Sequence, residues 1–276
     1  MSEPLAIIAG AGAFPRHAAA EAKRRGRRVV ALALRGWADD GLAQYVDAIE
    51  SIDIGQLGHL ISRLKALGAR EAIMAGKVTK SVLLDPSVQF DAEAVGVLGG
   101  VTDYSVNSVL GAIGRRLAKD GITLLDSSTF LKDGLCPVGV LTKAQPTPAQ
   151  QRDIRLGMDL ARQMAAWDVG QTVVIKNQVV VAVEALEGTD AAIRRAGEVG
   201  GAEAVVVKMA SPTQDMRFDL PVLGLQTIAV AEQAGVRCLA VEARKTLLLD
   251  REALIGRADA IGLCLVGVEP SAERAA

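Results

Sequence analysis

The segment from Leu5 to Leu34 limits what this chain can fold into more than any other. "LAIIAG" is a continuous apolar run, and "GAG" closes it. "PRHAAAEAKRRG" carries Pro15 where a first helical turn tolerates a missing N–H and Gly26 where a helix stops, and "RVVALAL" is a second apolar run. A strand that passes through a glycine turn into a helix and back into a strand is a βα unit, and successive units lay their strands parallel. The alternation continues through "AIESI", the helix "LGHLISRLKALG", the strand "EAIMAG", a helical stretch from Ser105 to Lys119 and the strand "ITLLDSS", Ile122 to Ser128. This predicts a Rossmann-like parallel-sheet domain over residues 1–135.

The texture then changes. Pro146 and Pro148 in "GVLTKAQPTPAQ" mark a link, residues 136–150, and a helix entry. A helix is expected from Pro148 to Trp167, and then a hairpin in "QTVVIKNQVVVAVEA", where Asn177 tolerates the positive φ of a tight turn. Further strands at "AVVVKM", "CLAVEA", "KTLLLD" and "GLCLVGV" with helices between them predict an α+β domain with a mixed sheet over residues 151–276. The fold class is therefore α/β, with two domains.

Charge and residue usage exclude several functions. A net charge of −1 offers no basic stripe for nucleic acid. Cys136, Cys238 and Cys264 stand apart, and His17 and His59 are the only histidines, so no zinc-binding motif can be assembled. A metal would be held by oxygen, which favours Mg²⁺ or Mn²⁺. "MSEPLAIIAGAGAFP" has Glu3 in place of a basic leader and breaks its apolar run at Gly10 and Gly12, so a cytoplasmic protein is expected.

Two regions suggest chemistry. The turn "GAGAFP" (Gly10, Ala11, Gly12) offers backbone N–H groups beside a helix N-terminus, but it lacks the third glycine of a dinucleotide fingerprint. Arg35 stands where such a site usually has an acid. The second region is acidic. "VEALEGTDAAIRR" sets Glu184, Glu187 and Asp190 about Gly188 and Thr189 after a strand, with Thr189 or Asp190 a candidate helix cap. "KMASPTQDMRFDLPVLGLQT" gathers Lys208, Gln214, Asp215, Arg217 and Asp219 between apolar runs. Asp219 alone could cap the helix expected through "VLGLQTIAVAEQAG". The whole set suits phosphate chemistry, in which carboxylates hold a metal or orient water while cations and amides neutralise phosphoryl oxygens.

These stretches, together with "MAGKV", "DVGQTVVI" and "AVEARKTLLLDRE", resemble the LpxI family of UDP-2,3-diacylglucosamine pyrophosphatases over essentially the whole chain and in the same order. The resemblance implies a two-domain enzyme of lipid A biosynthesis. Such an enzyme splits its lipid-linked UDP-sugar, held between the domains, into UMP and 2,3-diacylglucosamine 1-phosphate (lipid X) with a divalent cation. It assigns Asp219, Asp190 and Lys208 to catalysis, and Asp219, Asp190 and Glu187 to the metal. Gly10, Ala11, Gly12, Lys77, Gly188, Thr189, Gln214, Arg217 and Thr227 are assigned to substrate, Lys77 being a departure from the Asn of other members. It leaves open transient contact with the inner-membrane surface and homodimerisation. A non-catalytic nucleotide-sugar sensor, or another nucleotide phosphohydrolase, is the alternative.

Overall fold

Each apolar run becomes a strand in the computed structural model, which describes residues 3–270. The chain forms two compact units: unit 1 comprises Met1–Lys132 and Asp215–Leu220, and unit 2 comprises Asp133–Gln214 and Pro221–Ala276. The chain thus leaves unit 2 after Gln214, contributes six residues to unit 1 and resumes unit 2 at Pro221.

Unit 1 contains β1 (Leu5–Ala9), α1 (Phe14–Arg24), β2 (Val29–Leu34), β3 (Ala48–Ile52), α2 (Leu57–Ala66), β4 (Glu71–Ala75), α3 (Ala92–Gly99), α4 (Val106–Lys119) and β5 (Thr123–Leu124). Its sheet runs β3-β2-β1-β4-β5, all parallel, so the order reverses between β1 and β4. Every residue of β1 is buried, as expected of a central strand covered on both faces. α1 carries Pro15 in its first turn, turns Ala18, Ala19 and Ala22 inward and ends on Lys23 and Arg24, cations that complement the helix dipole. "ITLLDSS" is a strand only at Thr123–Leu124. The Asp126 carboxylate accepts from the Ser128 amide at 2.7 Å and its carbonyl from the Thr129 amide at 3.0 Å, a local turn that ends the pairing.

Unit 2 contains β6 (Gly139–Val140), α5 (Pro148–Ala166), β7 (Thr172–Lys176), β8 (Val179–Val183), α6 (Thr189–Gly200), β9 (Val205–Lys208), β10 (Val222–Leu223), α7 (Leu225–Gln233), β11 (Cys238–Glu242), β12 (Leu247–Leu248), α8 (Arg251–Ala260) and β13 (Cys264–Val268). The six-stranded sheet runs β6-β13-β11-β9-β7-β8 and is mixed: β9, β11 and β13 are parallel, while β6, β7 and their partners pair antiparallel. The stretch expected as a link is built into this unit, since it supplies the edge strand β6 and the Thr147–Gln150 capping box of α5.

Alternation sorts the strand residues between two helical layers. Val205 and Val207 pack with Ile154 and Ala161 of α5, whereas Val206 packs with Ile193 of α6, Ile228 of α7 and Leu254 of α8. Full burial of a side chain such as Ile193 contributes about 1.5–3 kcal/mol. The hairpin turns on Asn177 and Gln178, both at positive φ (52° and 64°), and the buried Asp153 carboxylate accepts from both of their amides. A bulge between Val174 and Ile175 shifts the register, so that Val174 pairs with Ala182. The helix expected through "VLGLQTIAVAEQAG" starts only at Leu225, because Val222–Leu223 pair with Leu247–Leu248 as a separate two-stranded sheet.

Candidate functional site

In unit 1 the glycine turn lies at the carboxyl end of β1, on the strand-order reversal where open parallel sheets take their ligands. Ala11 and Lys77 exchange two backbone hydrogen bonds of 2.9 Å, tying this turn to the loop leaving β4. That close approach explains two glycines. A Cβ on Gly10 would lie 2.8 Å from the Lys77 carbonyl oxygen, and one on Gly76 (φ 95°) would lie 2.7 Å from that of Ala11. Gly12 is different: its φ of 90° requires glycine, yet a Cβ there would meet nothing within 4 Å. It is also exposed, as is Lys77.

The six-residue excursion is held at the same end of this sheet. Ser127, buried beyond the end of β5, shares its one hydroxyl hydrogen between the carbonyls of Met74 and Arg217, each 2.7 Å from Oγ, and donates its amide to the Met216 carbonyl at 2.8 Å. Within the excursion Arg217 pairs with Asp215 (Nε–Oδ1 2.9 Å, Nη2–Oδ2 2.6 Å) and lies over the Phe218 ring. Hydrogen bonding to Arg217 holds the Asp215 carboxyl below its usual range. Asp219 is half-buried, and its amide closes a turn onto the Asp215 carbonyl. It does not cap α7, whose N-cap is Gly224.

In unit 2 the functional groups form a row. Thr172 is paired with Lys208 across β7 and β9, and the Glu184 amide donates to the Thr172 carbonyl at 2.8 Å, so Glu184, Thr172 and Lys208 stand side by side on adjacent strands. By alternation from Val206 and Val174, Lys208 and Thr172 face the layer of α6. There Lys208 Nζ donates to Thr189 Oγ1 at 2.9 Å, Thr189 Oγ1 donates to Glu184 Oε1 at 2.9 Å, and Nζ lies 3.8 Å from Glu184 Oε2. Burial raises the Glu184 pKa, but the Lys208 charge and hydrogen bonds from Thr172, Thr189 and the Gln171 amide outweigh it and hold the carboxyl below its ordinary value. The charged form therefore prevails.

The remaining expected residues sit nearby or apart. Gly188 (φ 85°) is the N-cap of α6, so neither Thr189 nor Asp190 caps it; both lie in the first turn, where Asp190 favours the dipole. Asp190 Oδ1 accepts from Thr227 Oγ1 at 2.9 Å, joining the first turns of α6 and α7. The Glu187 carboxylate bonds Arg195 at 2.7 Å and the Ala185 amide at 3.1 Å. Gln214 accepts from the Ser211 amide at 2.5 Å, at the edge of unit 2. Gly10, Ala11, Gly12, Lys77, Arg217 and Asp219 thus belong to unit 1, while Gly188, Thr189, Asp190, Glu187, Lys208, Gln214 and Thr227 belong to unit 2.

Among the described residues no three His, Cys, Asp or Glu side chains form a ready metal cage. Mg²⁺ does not need one, because it is commonly held by one or two carboxylates together with waters and substrate phosphates. The oxygen donors present fit that mode, with Asp190 better suited than Glu187, whose two oxygens are already bonded.

Two features have no counterpart among the sequence expectations. Thr172 joins Glu184 in the buried row, and the bulge that aligns them has no marker residue. Unit 1 also has a cleft of about 410 Å³ beyond β2 and β3, lined in part by Arg35, Trp37, Asp53, Gln56 and Ser81. Arg35 pairs there with Asp53 at 2.5 Å.

Similarity to known proteins covers both units. The LpxI N-terminal domain matches residues 4–134 and the LpxI C-terminal domain matches residues 137–266. The chain is 33% identical over 277 aligned residues to UDP-2,3-diacylglucosamine pyrophosphatase LpxI of Caulobacter vibrioides, covering 96% of this chain and 98% of that protein. Among solved structures, phosphoribosylglycinamide synthetase from Anaerococcus prevotii aligns at 11% identity with a TM-score of 0.28, over 65% of this chain and 38% of that one. Glycinamide-RNase-transformylase T from Mycobacterium tuberculosis aligns at 14% with a TM-score of 0.26, over 66% and 44%. Scores at that level have no bearing on the fold.

Proposed function

The chain belongs to the LpxI family of hydrolases, and from that premise we propose that it hydrolyses the pyrophosphate bond of UDP-2,3-diacylglucosamine in lipid A biosynthesis, releasing UMP and 2,3-diacylglucosamine 1-phosphate. In that reaction a water oxygen bonds to one phosphorus while the bond from that phosphorus to the bridging oxygen breaks. The water proton is taken up by a base. With histidine scarce, the base is a carboxylate, and Asp219 is the residue we assign.

The observation that carries this reading is the family match along both units, taken with the tethering of the Asp219 segment by Ser127 at the carboxyl end of the parallel sheet. Such tethering suits a group that must be positioned for reaction. In unit 2, Lys208 and the first turn of α6, with Gly188, Thr189 and Asp190, offer positive charge and N–H donors suited to phosphoryl oxygens. Arg217 and Gln214 are further donors that we assign to phosphoryl oxygens, and the Gly12 turn and Lys77 are assigned to the polar part of the substrate.

Mg²⁺ or Mn²⁺, when bound, would neutralise charge developing on the phosphoryl oxygens. Asp219 and Asp190 are the carboxylates we assign to it. An amphiphilic substrate brings such an enzyme to the inner-membrane surface; among the described residues no helix is long and apolar enough to cross a membrane.

The test is release of UMP from UDP-2,3-diacylglucosamine in matched reactions. We expect release with Mg²⁺, its loss in EDTA and its return on adding Mg²⁺ or Mn²⁺. Full turnover in chelator would overturn the metal assignment, and tight binding of uncleaved substrate would favour the sensor.

A further inference from the structure

We infer that Glu184, to which the family resemblance assigns no role, is the positioning residue for Lys208 and acts through the Thr189 hydroxyl. The inference rests on the role given to Lys208 in the proposed function. Its basis is the direction of each hydrogen bond in the buried row. Thr189 has one hydroxyl hydrogen, and Glu184 Oε1 takes it at 2.9 Å. The hydroxyl lone pairs are then the only groups Thr189 can offer to Lys208 Nζ, also at 2.9 Å, and an ammonium can only donate. Glu184 therefore sets the polarity of the contact that fixes the Lys208 head at the first turn of α6.

The electrostatics agree with this role. The Glu184 side chain is 12% exposed and that of Lys208 10%. Glu184 Oε2 is buried, 3.8 Å from Nζ. An isolated charge at either position would be costly, so each stabilises the charged form of the other. The backbone preserves the arrangement. The bulge after Val174 brings Glu184 opposite Thr172, and Gly170 lets the chain pass where a Cβ would lie 2.1 Å from the Glu184 carbonyl oxygen. A glutamine at 184 would keep the shape, but it would lose the charge and could turn an N–H toward Thr189, reversing the hydroxyl and setting it against the ammonium.

The experiment is a double-mutant cycle on the full-length enzyme, measuring kcat and KM for UDP-2,3-diacylglucosamine with Glu184→Gln, Lys208→Met and both together. We expect Lys208→Met to lower kcat about 100-fold and Glu184→Gln about tenfold with KM nearly unchanged, with the pair no slower than Lys208→Met alone. A normal kcat in Lys208→Met would overturn the role given to Lys208, and this inference with it. An impaired Lys208→Met beside a normal Glu184→Gln, or two losses that multiply in the double variant, would overturn this inference alone. Thermal unfolding is followed in parallel. If Glu184→Gln does not fold, Thr189→Val, which removes only the relay hydroxyl, takes its place in the cycle with the same expected outcomes.

Discussion

The glycine corner of unit 1 and the charged row of unit 2 both lie where strands give way to helices, but they are built from opposite materials. The first is almost entirely backbone: Gly10, Ala11, Gly76 and Lys77 meet through main-chain hydrogen bonds, and the absence of side chains lets them approach. The second depends on side chains, with Glu184, Thr189 and Lys208 holding one another by charge and hydroxyl polarity inside a packed layer. A backbone corner resists changes in volume, whereas a charged row resists changes in charge at constant volume. Each half of that contrast can be tested.

The largest effect is expected at Asp219, which sits in unit 1 but supplies a carboxylate rather than backbone shape. Asp219→Ala should fold and lose about 10²–10⁴-fold in turnover, the usual worth of a positioned acid or base. Retention of near wild-type turnover would remove the assignment.

Next come two glycines of the backbone corner. Gly76→Ala forces a Cβ into the Ala11 carbonyl at positive φ and should cost about 2–4 kcal/mol in urea unfolding. Gly12→Ala meets only the conformational penalty, about 1 kcal/mol, because nothing lies within 4 Å. Gly12→Leu should instead raise KM by filling the open side of the turn. Equal stability losses at Gly76 and Gly12 would mean that close backbone approach is not what shapes the corner.

The smallest effect concerns pH and the charged row. Because the Glu184 pKa is lowered in the folded protein, its contribution to stability is complete above its ordinary value of 4.5 and is lost as pH falls through the lower folded value. The stability difference between wild type and Glu184→Gln should therefore be constant from neutral pH down to about 5 and shrink below that. A difference that does not change with acid would show that the carboxylate gains nothing from Lys208.

The same contrast explains how much was legible in the sequence. The βα alternation of unit 1 is local, since each glycine, proline and apolar run reports its own position, and the parallel order follows from it. The hairpin was legible in Asn177 for the same reason. Glu184 was not. Counting outward from a two-residue turn sets Thr172 opposite Val183; the bulge slips the pairing by one residue and brings in Glu184 instead. No residue type announces that slip, since Val179, Val180 and Val181 are alike. The membership of Asp215–Leu220 in unit 1 was equally hidden, because it depends on the distant Ser127 and not on the residues beside it.

That excursion also has a consequence for how the protein is made. Unit 1 is discontinuous along the chain, so its last piece leaves the ribosome only after residues 133–214 have been synthesised. At about 5–20 residues per second those 82 residues take on the order of 4–16 s, during which the Rossmann-like sheet has every strand but lacks the segment that bonds Ser127. The nascent N-terminal unit must persist through that interval with Ser127 still open to water. The Asp219 carboxylate takes its place only once most of the polypeptide exists, so no early translation product of this chain carries a finished set of the groups we assign to the reaction.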